Sequence, residues 1–449
     1  MPRHRPTDFL THRGRPSSVA VADASPQRLR KLTFRHGLTA ACLALLSPLA
    51  SAQTLDVMHW WTSASERAAA DQLVQTLQQQ GVRWQDAAVE GGGGGAAVKV
   101  LKSRVLSGSP PAAAQLIGKM LTDWADLGLV LPLNRVAEQG AWQQQFFPEV
   151  LSLVTHKGQR IAVPLGIHRI NMVLYQSRVF DRLRLSPPRD WSGLERAAQR
   201  LRQAGITPLA WSDEAWQVAT VFESVLLSHA GPDLYTRLVR AQDADAWRDP
   251  KVEAALNRLR WLRALNGPMP RQELGWIQSV QAFEQGRVGM LINGDWAQGE
   301  LHQLSSSPPS FVCAPMPGTD GMHLYSIDTL TMLKGPQAKT PVQEKAASLL
   351  ASAAVQGSYN RVKGSVPVRK DIDPLTLDSC AQLSWRTFAN PQAHRVPSLA
   401  HRMAASEATK EAVASIVQSF VLRPAMTPAE AQRQLVSVVR AMLKENQRL

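Results

Sequence analysis

Strand-like and helix-like segments alternate from residue 55 onward, separated by glycine and proline, and this pattern most limits what the chain can fold into. Leu55-Asp56-Val57-Met58-His59-Trp60-Trp61 reads as a first strand. Thr62 or Ser63 is placed to cap a helix from about Ser65 to Gln80. Val82–Val89 reads as a second strand, Gly91–Gly95 as a loop, and Ala96–Leu106 as a helix with Val98, Leu101 and Val105 on one face. Pro110-Pro111 then interrupts the chain before a short apolar strand, Ala113–Ile117. Strands and helices that alternate in this way build an α/β sheet, parallel at least in part. Further on, Arg160–Pro164 and Ile170–Tyr175 read as strands flanking Gly166-Ile167-His168-Arg169. Helical patterns cover Gly193–Gln203, Trp216–Ala230, Tyr235–Ala241 and Pro250–Leu265. Val288–Ile292 and Leu324–Leu333 are strand candidates, and helices return over Val342–Gln356 and most of 398–445. A chain of 449 residues exceeds what one hydrophobic core usually serves, so two domains are expected.

The first 52 residues have a different character. Arg28, Arg30, Lys31 and Arg35 precede an apolar run from Leu38 to Ala50, and Ala50-Ser51-Ala52 supplies a small-x-small cleavage pattern. This is the three-part layout of a secretory leader, with the mature chain expected to start at Gln53. Cys42 lies inside the apolar run rather than after it, which disfavours a lipid anchor there. The segment before the basic cluster is long and polar for a leader, so the true start is expected downstream. The leader holds 8 Lys/Arg and 2 Asp/Glu, so the remaining chain carries about +8 of the formal +14. That charge is mild, and no run of five to eight basic residues marks a nucleic-acid patch. Two cysteines remain, Cys313 and Cys380. They are compatible with one disulfide in an oxidising compartment or with two buried thiols.

The glycine run does not close in Gly-Lys-Ser/Thr, so it is not a phosphate loop; its simplest role is to let backbone come close to another group. No His-x-x-x-His or Cys-x-x-Cys pair occurs, so no metal or other cofactor is expected. A nucleophile elbow is also missing. Glu66, Asp295 and Asp328 could in principle supply a glycosidase carboxylate pair, but carboxylates also bind sugar hydroxyls without doing chemistry. The aromatics point the same way. There are 13 tryptophans against 4 tyrosines, and Trp60-Trp61 sits at the carboxyl end of the first strand, where open α/β sheets place ligands. An indole face suits the C–H face of a pyranose, and charged groups hydrogen-bond its hydroxyls.

Several blocks then resemble, in order, the glucose-type extracellular solute-binding proteins of family 1. They are His59-Trp60-Trp61-Thr62-Ser63…Glu66, the glycine run, Leu101-Lys102-Ser103-Arg104 and Val163-Pro164…Ile167-His168-Arg169-Ile170-Asn171. Gly294-Asp295-Trp296-Ala297, Lys363-Gly364-Ser365-Val366-Pro367-Val368-Arg369 and Pro397-Ser398-Leu399-Ala400-His401 follow. Together they span nearly all of 55–405. The resemblance implies a periplasmic, monomeric, non-enzymatic protein that captures a monosaccharide, glucose by default, and delivers it to the membrane permease of an ABC importer. It implies two α/β lobes around a hinge and a central cleft, with the chain crossing between lobes more than once. On that pattern the leader is 1–52, the N-terminal lobe is 53–165 with 319–355, and the C-terminal lobe is 166–318 with 356–449.

The resemblance also places ligand contacts at Trp60, Trp61, Glu66, Asp328, Lys363 and His401, with Trp296 beside them. One of Trp60 and Trp61, and Trp296, would stack on the sugar. Glu66 and Asp328 would accept from hydroxyls, and Lys363 and His401 would donate. His168 either orients a cleft loop or is structural. Two positions depart from the pattern. Ile117 stands where relatives have a polar contact, and Ser326 stands where they have asparagine. Losing two hydrogen bonds would weaken glucose binding by roughly ten- to a hundred-fold. Lys119 would compensate only if the strand at 113–117 extends that far. Three other readings are a sugar sensor for a membrane kinase, an extracellular carbohydrate-active enzyme, and a basic nucleic-acid binder.

Overall fold

The computed structural model describes residues 53–91, 94–210, 212–240, 243–265, 275–305 and 311–446. The expected leader, Cys42 and the cleavage point after Ala52 lie outside the described residues, as do Gly92 and Gly93.

The strands in chain order are β1 (Gln53–His59), β2 (Val82–Ala88), β3 (Ala113–Gln115), β4 (Thr155–His156), β5 (Gln159–Arg160) and β6 (Val163–Arg169). Next come β7 (Met172–Gln176), β8 (Thr207–Ala210), β9 (Val288–Ile292), β10 (Phe311–Pro315), β11 (Met322–Met332) and β12 (His394–Pro397). One sheet runs β12-β11-β3-β1-β2, with β6 on the other side of β11; the second runs β10-β7-β9-β8, and β4 and β5 form a small ribbon. β1 pairs in parallel with both β2 and β3, whereas β11 is antiparallel to β3 and β6. Both main sheets are therefore mixed, and each carries its own core. Leu55, Val57, Leu73 and Ile327 belong to the first, and Val173, Leu209, Phe222 and Met290 to the second. The protein is thus an α/β molecule of two lobes, as the alternating pattern requires.

Three differences from the sequence reading have physical causes. Gly166–Arg169 does not separate two strands but lies within β6, because β11 supplies it with a ladder partner from Val163 to Arg169. The segment Val342–Gln356 is two helices, Thr340–Leu350 and Ala353–Lys363; the Ser352 hydroxyl accepts from the Val355 N–H and starts the second. Conversely, Ala215–Val239 continues through both expected helices, but Gly231 at φ 74° bends it where they were separated.

The chain passes between the sheets three times. β6 leads into β7 through Ile170 and Asn171, β10 leads into β11, and β12 leads into the helix Glu407–Leu422, which packs on Ala215–Val239 beside the second sheet. The expected boundary at 165/166 falls inside β6. The one at 355/356 falls inside the helix Ala353–Lys363, which packs on Ala64–Gln79 and so stays with the first sheet to Lys363. Cys313 of β10 and Cys380 of the helix Ser379–Ala389 are disulfide-bonded, which ties the edge of the second sheet to a helix that also packs on β11.

Asn171 holds two of the crossings together. Its side-chain amide donates to Thr319 Oγ1 at 2.9 Å and to the Met322 carbonyl at 3.1 Å, and its Oδ1 accepts from the Leu324 N–H at 3.0 Å. The residue is completely buried, so no water replaces these bonds if the side chain is removed. Asn171→Ala is therefore expected to destabilise the protein by ~3 kcal/mol, read as a lower urea midpoint with little change in the slope of the transition.

Candidate functional site

The first helix fixes one wall of the site. Ser63 caps Ala64–Gln79, and Glu66 returns the bond from three residues along: its Oε2 accepts from the N–H groups of Thr62 and Ser63. This capping box holds the Glu66 carboxylate at the end of β1. Its other oxygen accepts from Lys363 Nζ at 2.9 Å, at the last turn of Ala353–Lys363. Lys363 is 3% exposed, yet its pKa is raised: burial alone would lower it, and the carboxylates of Glu66 and Asp328 outweigh burial.

Asp328 of β11 and His168 of β6 lie on facing strands. His168 is buried between two carboxylates, with Nδ1 2.5 Å from Asp295 Oδ1 and Nε2 3.3 Å from Asp328 Oδ2. Burial opposes the imidazolium, but the two carboxylates prevail and lift its pKa to about 9. Burial pushes Asp295 up, while the bond and charge of His168 hold Asp328 down in spite of its burial. Asp295 follows β9 of the second sheet, so this cluster joins the two lobes. Gln115 of β3 donates to Asp328 Oδ1 and accepts from the Trp60 N–H, which sets the end of β1 against β11.

These groups surround one cavity of about 220 Å³. All seven candidates, Trp60, Trp61, Glu66, Trp296, Asp328, Lys363 and His401, line it, together with His168. Their exposures differ. Trp61 is enclosed, stacked on His59 and tilted against Tyr359, while Trp60 is half-buried. A Cβ on Gly94, at φ +74°, would fall 2.8 Å from the Trp60 indole, so the glycine run does provide the close approach expected of it. Trp296 is nearly buried among His168, His401 and Trp216.

Ile117 and Ser326 also line the cavity. Lys119 does not: β3 stops at Gln115, and Lys119 is exposed and paired with Asp123 at 2.8 Å. His401 arrives from the opposite side, on the loop after β12. Gly118, at φ +59°, lets that loop approach; a Cβ there would meet the Arg402 carbonyl at 1.9 Å. Glu223, buried in the second lobe, holds the same loop by accepting from the Ser398 hydroxyl and the N–H groups of Leu399 and Ala400. Burial raises its pKa to about 7 against these bonds.

Sequence reasoning missed Trp216, Trp276 and Ile277, which complete the lining from the second lobe. Nothing local distinguishes these tryptophans from core residues. Gln115 was missed too, although it is the one polar residue in the apolar strand expected over Ala113–Ile117. The Nε1–H groups of Trp61 and Trp216 are buried and lack a protein partner. The site therefore offers a donor (Lys363), an acceptor (Asp328) and an indole face (Trp60). Among the described residues, no group of three or more His, Cys, Asp or Glu side chains could hold a metal ion, and no helix is long and apolar enough to cross a membrane.

Comparison with known proteins adds a family context. Residues 61–356 match the model of the bacterial extracellular solute-binding protein family. A probable sugar-binding periplasmic protein of Brucella suis biovar 1 is 32% identical over 421 residues, covering 92% of this chain and 99% of that one. One of the same description from Rhizobium meliloti is 32% identical over 417 residues, with 92% and 100% covered. Among solved structures, the bacterial solute receptor AcbH, described as exclusive for β-D-galactopyranose, superposes with a TM-score of 0.76. It is 18% identical, with 87% of this chain and 99% of that one covered, a likeness of fold.

His168 gives the site a pH signature. Its pKa in the folded protein, about 9, lies above the ordinary 6.5, so the stabilisation is fully present below pH 6.5 and is lost as pH rises through 9. The thermal midpoint should fall over that window, by an amount on the order of 3 kcal/mol in stability, and His168→Gln should flatten the fall.

Proposed function

Because the chain belongs to the bacterial extracellular solute-binding proteins, we propose that it is the periplasmic sugar-capturing component of an ABC importer and that its ligand is a monosaccharide, glucose by default. The observation that carries this reading is the lining of the cavity described above. Indole rings reach it from both lobes and paired charged groups from the first, and the seven side chains picked out by sequence line it. Trp60, the more exposed of the doublet, stacks on the sugar ring. Asp328 and Glu66 accept from its hydroxyls, and Lys363 donates. A cavity of about 220 Å³ lies below the roughly 300–1,000 Å³ usual for drug-sized ligands, which supports one ring over a longer glycan.

Capture proceeds by closure, because each lobe supplies part of the contact set and both are satisfied only together. The lobes already meet at the rim of the site. Glu300 of the helix Trp296–Leu304 accepts from both the N–H and the hydroxyl of Ser65, at the start of Ala64–Gln79. A closed shape of this kind would dock on the permease. The relatives' descriptions as sugar-binding periplasmic proteins support the ligand class and the compartment.

Binding without turnover fits the carboxylates. Glu66 is held by Lys363 and its own helix cap, and Asp328 is kept ionised by His168. Asp328 has a lowered pKa, not the raised one of a glycosidase acid. Ile117 and Ser326 are the two lining positions where a sugar other than glucose would gain or lose contacts.

Thermal unfolding in the presence of a monosaccharide panel tests the proposal. A ligand at a hundred times its Kd should stabilise the protein by ~2.7 kcal/mol. Trp60→Ala should weaken that ligand at least roughly tenfold with little change in unliganded stability. If no monosaccharide or short glucan shifts the midpoint, the sugar reading is wrong.

A further inference from the structure

We propose that Thr220 fixes His401 as a hydrogen-bond acceptor, so that the ligand must present a hydroxyl donor at this point of the cleft. The proposal rests on the sugar-binding reading of the cavity. It reverses the role expected of His401, which the family pattern cast as a donor.

Thr220 lies in the helix Ala215–Val239, and its hydroxyl has two neighbours: the Trp216 carbonyl at 2.8 Å and His401 Nε2 at 3.0 Å. The Trp216 carbonyl can only accept, is the nearer of the two and is the i−4 carbonyl of Thr220's own helix, so we assign the single hydroxyl proton to it. Thr220 Oγ1 is then left as an acceptor toward His401, and Nε2 must carry the ring proton. Whether a second proton could sit on the ring is settled by its surroundings. His401 is buried, Arg402, Lys410 and the His168 imidazolium lie on its flanks, and these effects, burial foremost, push its pKa down to about 3. The imidazole is neutral and holds one proton. With that proton on Nε2, Nδ1 is an exposed lone pair; it makes no hydrogen bond among the described residues and is not among the sealed-off polar atoms.

The position of the ring makes this a matter of selection. His401 lines the cavity and tilts against Trp296 at 5.1 Å. The rest of its geometry is fixed from behind: its own N–H donates to Ser398 Oγ, which in turn donates to Glu223. A neutral acceptor held in this way takes an O–H but not an ether oxygen, a methoxy group or fluorine, none of which can donate. Thr220 acts through His401 and is a positioning residue. Valine in its place keeps the shape, removes the lone pairs that hold the Nε2 proton, and frees the ring to present Nδ1–H to the cleft.

Two readouts on the full mature chain decide the matter. The first is long-range ¹⁵N–¹H correlation with ¹⁵N-labelled histidine. The expected result is the Nε2–H tautomer for His401 in the wild type and in Thr220→Ser, and a shift toward Nδ1–H in Thr220→Val. A wild-type Nδ1–H tautomer or an imidazolium at neutral pH would overturn the proposal. The second is competition between glucose and its monofluorinated deoxy analogues. One position should lose affinity on fluorination in the wild type. The preference for hydroxyl over fluorine there should drop roughly tenfold in Thr220→Val and persist in Thr220→Ser. An unchanged preference in Thr220→Val would overturn the role in selection. If glucose does not bind at all, the sugar reading fails on its own, while the tautomer measurement still decides the proton assignment.

Discussion

The two lobes share one buried charge. His168 leaves β6 of the first sheet and places its imidazolium between Asp328 of the same sheet and Asp295, which follows β9 of the second. A charge buried this deeply is tolerated only when it is paired and hydrogen-bonded. Here the requirement is met from both sides of the molecule, so the position of Asp295 relative to β6 and β11 is set by the need to neutralise His168. Asp295 also accepts from the Arg169 N–H, which brings the start of the crossing segment into the same network. Asp328 in turn faces Gln115, and Gln115 accepts from the Trp60 N–H, so the aromatic wall of the cleft is registered against the same charge.

Just beyond this network, the chain passes between the lobes. Arg169 and Asn171 form its other half: the guanidinium donates to the Met322 carbonyl and the asparagine to Thr319 and Met322. Burial lowers the Arg169 pKa to about 10, which still leaves it charged at neutral pH. Polar knots of this kind, fully hydrogen-bonded, define one arrangement of crossing strands rather than adding much net stability. The disulfide between Cys313 and Cys380 reinforces the same region, because it joins β10, one strand before a crossing, to a helix packed on β11.

The cleft is aromatic toward the second lobe and charged toward the first. Trp216 stands between Trp276 and Trp296, with ring centroids 6.3 Å from each. Opposite them stand the Glu66–Lys363 pair and Asp328. A pyranose has the same division, with flat C–H faces and an equatorial rim of hydroxyls. A ligand of that shape would satisfy both walls.

Much of this was legible in the chain. The alternation of elements from residue 55 to 117, a helix cap at Thr62 or Ser63, and the glycine run as a place of close approach are local, and local physics fixes them: side-chain period, capping chemistry and the missing Cβ. The seven lining residues were found because their blocks keep an order that matches a family, although they lie up to 341 positions apart between Trp60 and His401. What no local pattern contains is pairing at a distance. The continuation of β6 through Gly166–Arg169 depends on β11, more than 150 residues later, which supplies the ladder that holds those residues extended. The same holds for the enclosure of Trp61, which leaves Trp60 the open ring, and for the part taken by Trp216 and Trp276. The proton on His401 is decided by a threonine 181 positions earlier in the chain and by the burial of both. Sequence thus determined the elements and the chemistry available; tertiary structure decided which groups are buried together, and burial sets their charge, tautomer and hydrogen-bonding role.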